Sequence, residues 1–95
     1  MMEIAFDPVK NERNIRERGI PFELAAGIDF DTAFIAEDCR RDYGEPRFSA
    51  IGYIGERLHV LVFTPRGDAM RVISLRKANL REVKRYEYYR TQTGS

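Results

Sequence analysis

The sequence predicts an α+β domain: an antiparallel sheet of four to five strands, two helices near the N-terminus and one at the C-terminus. Three observations carry this reading. Residues 47–76 hold three β-like runs, RFSAIGY, LHVLVFT and MRVISLR, separated by the turn signals Gly55-Glu56 and Pro65-Arg66-Gly67-Asp68. Asp7-Pro8 opens one helical stretch, an N-cap followed by proline at the first helical position, and Asn79-Leu80-Arg81-Glu82 opens another in the form of a capping box. At 95 residues the chain has room for one core; residues 1–90 are expected to form one domain and 91–95 a flexible tail.

The elements follow in the order β-α-α-β-β-β-β-α. EIAF reads as a short strand. The first helix runs from about Pro8 to Arg18 and ends at Gly19, a C-cap glycine. Its apolar stripe is thin, Val9 and Ile15, which puts it at the surface. PFELAAGI predicts a second, shorter helix that buries Phe22, Leu24 or Ala25, and Ile28. Residues 29–46 are mostly polar connection, with a brief strand at Ala33 to Ala36. After the three-strand meander, the last helix runs from Leu80 to about Arg90 and buries Leu80, Val83 and Tyr86.

Strict alternation along the strands sorts their side chains into two faces. One, largely apolar, carries Phe48, Ala50, Gly52, His59, Leu61, Phe63, Arg71, Ile73 and Leu75. The other carries Arg47, Ser49, Ile51, Tyr53, Leu58, Val60, Val62, Thr64, Val72, Ser74 and Arg76. On this register Arg71 and Arg76 point to opposite faces and stand roughly 16 Å apart along the strand.

Composition narrows the chemistry. Apolar residues make up 43% and charged residues 33%, which suits an ordered globular domain. Cys39 is the only cysteine, so neither an intramolecular disulfide nor a cysteine-rich zinc cluster forms, and a reducing cytoplasm is the expected location. The N-terminal stretch turns polar too early for an export signal, and no run reaches membrane-spanning length. The single histidine, His59, lies mid-strand among Val and Leu, as a satisfied core histidine does. No HExxH, no glycine-rich phosphate loop and no nucleophile beside a base is present.

Charge is unevenly distributed. Residues 1–56 hold 7 Lys+Arg against 12 Asp+Glu, and residues 57–95 hold 9 against 3, so a net of −5 is followed by a net of +6. The second half can attract a polyanion. One reaction asks for little beyond cations and an acid/base pair: cleavage of RNA through attack by its own 2′-hydroxyl on the adjacent phosphate. Arginine forks neutralise the developing phosphorane charge, and no metal is required.

Three blocks add a resemblance: FDPVKNERNIRERGIPFELA, YGEPRFSAIGY and VLVFTPRGDAMRVISLRKANLREVKRYE. In this order they resemble the BrnT family of ribonuclease toxins from bacterial type II toxin–antitoxin systems, leaving only Ile28 to Asp42 unmatched. Two departures stand out: Phe6 where the family usually has Trp, and Glu17-Arg18-Gly19 where it often has Lys-His-Gly. The resemblance implies a RelE-like fold and a metal-independent endoribonuclease that needs no cofactor and inhibits translation. It implies a BrnA-like DNA-binding antitoxin, in a complex of two toxins and two antitoxins away from any membrane. It also implies site residues: Arg76 on the scissile phosphate, Arg47 and Lys10 as further cations, and Glu45 as general base. Lys77, Arg81, Lys84 and Arg85, with Arg66, would track the RNA backbone, and Tyr86, Tyr88 and Tyr89 offer stacking faces, Tyr86 more as a core residue. The alternative is a non-catalytic RNA- or protein-binding module built on the same cations.

Overall fold

Two tight hairpins organise the molecule. In the computed structural model, which describes residues 3–93, strands β3 (Phe48–Ile54), β4 (Arg57–Arg66) and β5 (Ala69–Lys77) form an antiparallel meander. Each turn holds two residues with glycine first, Gly55 at φ 62° and Gly67 at φ 59°. That left-handed conformation is cheap only without a Cβ, and it matches the twist of the turn to that of its strands.

β2 (Phe34–Glu37) adds antiparallel to β3, and β1 (Glu3–Ala5) adds parallel to β5, giving the order β1-β5-β4-β3-β2. The sheet is therefore mixed, a correction to the expected all-antiparallel one. A tight hairpin forces neighbours antiparallel, whereas β1 reaches β5 from the other end of the chain and is free to run alongside it.

The second hairpin corrects the expected faces. Its turn takes only Gly67-Asp68, so that Arg66 faces Ala69 and Phe63 faces Val72; beyond this Val62 faces Ser74, and Ile73 is left as the extra residue of a bulge. The shorter turn puts Met70 and Val72 on the core face, 2% and 1% exposed, in the places expected for Arg71 and Ile73. The bulge then restores the parity, and Leu75 joins the core as anticipated. Arg71, opposite Thr64, consequently shares the face of Arg76. Val72-Ile73 is apolar at both positions, so the sequence pattern carries no sign of the slip.

One face of the sheet packs Ala50, Leu61, Met70, Val72 and Leu75 against Ile20, Phe22, Ala25 and Ile28. Phe22, Ala25 and Ile28 come from the segment expected as the second helix, which is a 3₁₀ helix at Phe22–Gly27 with Leu24 turned outward, 44% exposed. The opposite face packs Ile51, Leu58 and Val60 against Tyr86 and Ala78. Tyr86 belongs to α2 (Leu80–Gln92), whose capping box forms as expected, although Leu80 is 70% exposed rather than buried. The helix continues two residues past Arg90; Gly94 and Ser95 of the expected tail lie outside the described residues. Among the described residues no helix is long and apolar enough to cross a membrane.

α1 (Pro8–Arg18) begins at the Asp7 cap and ends at Gly19. Val9 and Ile15 are both exposed, so the helix does not dock through an apolar stripe. Two asparagines hold it. Asn14 is buried and its Nδ2 donates to the carbonyls of Ile20 (2.8 Å) and Leu75 (2.9 Å), while Asn11 Oδ1 accepts the Phe22 N–H (2.8 Å). Leu75 pairs with Leu61 of β4 on one side and lies past the residues that β1 pairs on the other. An Asn14→Ala variant leaves two carbonyls without their donor and is expected to lose about 2 kcal/mol, a Tm lower by roughly 8–15 °C. Thermal unfolding followed by circular dichroism checks this, and an unchanged Tm would show the anchor to be dispensable.

Candidate nucleic-acid interface

α2 covers only part of its face of the sheet. The remainder forms a groove of about 320 Å³ across β3, β4 and β5, floored by Ser49, Ile51, Val60 and Val62. Glu82 and Arg85 of α2 line one side, and Glu37 at the end of β2 with the three residues that follow it line the other; Arg76 rises from the floor opposite Val60.

Arg76 is fixed by the start of the next helix. Its Nη1 and Nη2 donate end-on to Glu82 Oε1 (2.7 Å) and Oε2 (2.6 Å), and Nη1 also reaches the Lys77 carbonyl at 3.5 Å. Glu82 is at the same time the capping-box residue: Oε1 accepts the Asn79 N–H, and Asn79 Oδ1 accepts the Glu82 N–H, both at 2.9 Å. The hydrogen bonds from Arg76, against some desolvation, hold the Glu82 carboxyl below the usual carboxylate range, with Arg85 adding a weaker attraction. The Arg76 guanidinium is held charged by the same bonds. A guanidinium has five N–H donors. Among the described residues the Nε–H and the second Nη2–H of Arg76, the side-on fork, have no acceptor, and the side chain is 36% exposed.

The connection from β2 to β3 is tied by Asp38. Its backbone N–H donates to the Arg47 carbonyl (2.7 Å) and closes the loop. Its carboxylate, 5% exposed, accepts the Arg40 Nε and Nη2 (2.9 Å each), the Arg40 backbone N–H (3.2 Å) and the Tyr43 hydroxyl (3.2 Å). Chiefly through the Arg40 side-chain bonds, Asp38 stays ionised far below the usual carboxylate range and Arg40 stays firmly protonated. Tyr43 presents its ring to Arg47, whose guanidinium carbon stands 3.7 Å from the ring centroid.

The expected site residues are thus divided among neighbouring places. Arg76 and Arg85 share the groove. Arg47 and Glu45 line a recess beside it, with Glu37, Asp38 and Cys39 common to both, and Glu45 pairs with Arg66 at 3.2 Å. Lys10 lines a separate recess of about 210 Å³ at the β5 edge, with Arg13, Ile73 and Ser74. Lys77, Arg81 and Lys84 are exposed but do not line the groove. Tyr88 is exposed, whereas Tyr89 stacks on Phe34 with centroids 4.6 Å apart. His59 is buried on the opposite face, its Nδ1 2.8 Å from the Arg57 carbonyl. Glu37, Asp38, Arg40 and Ser49 enter the groove without having been anticipated; a segment rich in Asp and Arg was the only signal for the first three. Among the described residues no three His, Cys, Asp or Glu side chains are grouped to hold a metal ion.

The Arg76–Glu82 pair has a definite pH signature. Glu82 has its folded pKa lowered from the ordinary 4.5, so its contribution is complete above that value and disappears as pH falls through the lower folded value. A Glu82→Gln variant is expected to be about 1–2 kcal/mol less stable than wild type at pH 7. Urea unfolding should show the gap narrowing as pH falls below 4.5; a gap independent of pH would remove Glu82 as the acid-sensitive group.

A comparison with protein-family models matches residues 6–82 to the family described as a ribonuclease toxin, BrnT, of type II toxin-antitoxin systems. No curated protein matches the chain. The matched span opens at Phe6, beside the first helix cap, and closes on Glu82, the residue that holds Arg76. With a match over most of its length, this chain belongs to the BrnT family of ribonuclease toxins of type II toxin–antitoxin systems.

Proposed function

We propose that this ribonuclease toxin, whose family implies an RNA substrate and an antitoxin partner, cleaves RNA in the Arg76 groove by attack of a 2′-hydroxyl on the neighbouring phosphate. One observation carries the reading. Arg76 is oriented by two bonds to Glu82 and, among the described residues, its side-on fork meets no acceptor, in a groove floored by Ile51, Val60 and Val62 beside Ser49. Such a fork matches two phosphate oxygens, and an apolar floor strengthens its field. Arg76 would stabilise the phosphorane, with Arg85 and Arg40 as further cations at the rim, Arg47 reaching longer RNA from the adjoining recess, and Lys10 meeting it only beyond, in the separate recess at the β5 edge.

The 2′-hydroxyl proton needs a carboxylate not already committed to an arginine. Asp38 and Glu82 are held ionised by such pairs and are poor bases. Glu37 lines both the groove and the next recess, and among the described residues no partner is assigned to it. It takes the proton in this reading, with Glu45 the second choice because it is paired with Arg66. Attack forms the bond from the 2′-oxygen to phosphorus and breaks the bond from phosphorus to the 5′-oxygen, which leaves with a proton taken from solvent water. The products are a 2′,3′-cyclic phosphate and a 5′-hydroxyl, with no metal consumed or required. On the RelE-like reading of the fold, the cellular outcome is inhibited translation. A BrnA-like antitoxin would close the groove in a complex of two toxins and two antitoxins.

Purified wild-type protein is expected to cut RNA in EDTA and leave cyclic phosphate ends. Arg76→Ala should be slower by roughly 10²–10³-fold, the loss typical when a charge-stabilising donor is removed from a transition state. Expression should arrest growth for wild type and not for Arg76→Ala. Equal activity of the two proteins, or cleavage abolished by EDTA, would refute the assignment; RNA binding without cleavage would favour the non-catalytic module. For binding, the slope of log K against log salt should become shallower by about 0.7 in Arg85→Ala, one phosphate contact on a single strand.

A further inference from the structure

Beside the groove lies a second cationic place, of which the reaction above draws only on Arg40 and Arg47 as supporting cations. Arg40, Arg41, Arg47 and Tyr43 line an open recess of about 320 Å³. Arg40 also lines the groove, so the two places are continuous through one guanidinium. Three guanidinium groups around one recess repel each other, and none of the loop's carboxylates lines it: Asp38 is spent on Arg40 and Tyr43, Asp42 accepts the Gly44 N–H, and Glu45 pairs with Arg66. Arg47 is held over the Tyr43 ring, and its Nε–H is buried with no hydrogen-bond partner among the described residues. A buried donor attached to a positive charge is costly to leave unmade. A ligand that brings an anionic oxygen to this recess would relieve both the repulsion and the open donor.

We propose that this recess is a second phosphate subsite, which takes the phosphodiester next to the scissile one in single-stranded RNA. The proposal rests on the reading of the Arg76 groove as the cleavage site. Continuity through Arg40 favours one extended polyanion lying across both places over a separate anion in each. A phosphate is favoured over a stacked base, because Arg47 already lies over one face of the Tyr43 ring. The Asp38 network fixes the site before RNA arrives: the Arg40 side-on fork is held by the carboxylate, and its exposed end, in a side chain 79% accessible, is left for the ligand. The chain therefore selects substrates by length as well as by the cleaved linkage.

Two measurements test this. Substrates with a single ribonucleotide in a deoxyribose frame, of mixed base composition, are compared with one phosphodiester and with a second added on the 5′ or the 3′ side. In wild type the second phosphate on one of the two sides should raise kcat/KM by roughly tenfold, the worth of a charged hydrogen-bonded contact. Arg41→Gln should lower kcat/KM on that longer substrate about tenfold more than on the short one; an equal penalty on both overturns the subsite. Independently, inorganic phosphate titrated into the wild-type protein should shift the Arg47 Nε–H resonance in a ¹H–¹⁵N spectrum, less so in Arg41→Gln. A phosphate-dependent shift in a protein that cleaves no RNA would uphold the anion site while refuting the cleavage reading. A resonance unmoved by phosphate and by short RNA, but moved by an acidic peptide, would assign the recess to a protein partner and overturn the proposal.

Discussion

The pairing of Arg76 with Glu82 is the interaction on which the functional face depends. It joins the last strand to the last helix, because Glu82 caps α2 and clamps Arg76 with the same carboxylate. Burying a cation in a partly apolar groove is unfavourable unless a carboxylate accompanies it. Here the carboxylate is supplied by the residue that also satisfies the orphan N–H of a helix start. Folding of α2 and orientation of the guanidinium are thus one event. Any ligand that uses Arg76 meets a cation already ordered, with two donors turned away from its structural partner.

A second carboxylate does the same work across the groove. Asp38 orders Arg40 and, through Tyr43, supports Arg47. Arginine bonds hold both acids below the usual carboxylate range, which makes them poor proton acceptors. A carboxylate this close to a guanidinium positions charge and gives up basicity.

The sequence made the caps, turns and strands legible because each depends on a few neighbouring residues. Asp7-Pro8, Asn79 with Glu82, and the Gly55-Glu56 turn act locally and appear as expected, while the second turn takes only the Gly67-Asp68 half of its four-residue signal. The parity of β5 was not legible, since it depends on which of Val72 and Ile73 bulges, a choice made by the core and not by the strand. The carboxylate partner of Arg76 was visible as a cap but not as a clamp, because a capping box says nothing about what the second carboxylate oxygen meets. The loop at residues 38–46 falls within the stretch that reads as polar connection, and Arg47 reads as the start of the next strand run. The order of this segment comes from four side chains meeting in space, with no periodicity to announce it.

The asparagine anchorage of α1 bears on how this protein opens. Helices docked through leucine and valine release apolar surface when they detach, and the heat capacity and denaturant sensitivity of the event reveal that exposure. α1 leaves Val9 and Ile15 in solvent while it is docked, and it is held by Asn11 and Asn14. Its own apolar side chains are exposed already, and its release breaks polar contacts. Opening at that edge of the sheet would add less to heat capacity and urea sensitivity than release of a leucine-docked helix of the same length, a local breathing read by amide hydrogen exchange.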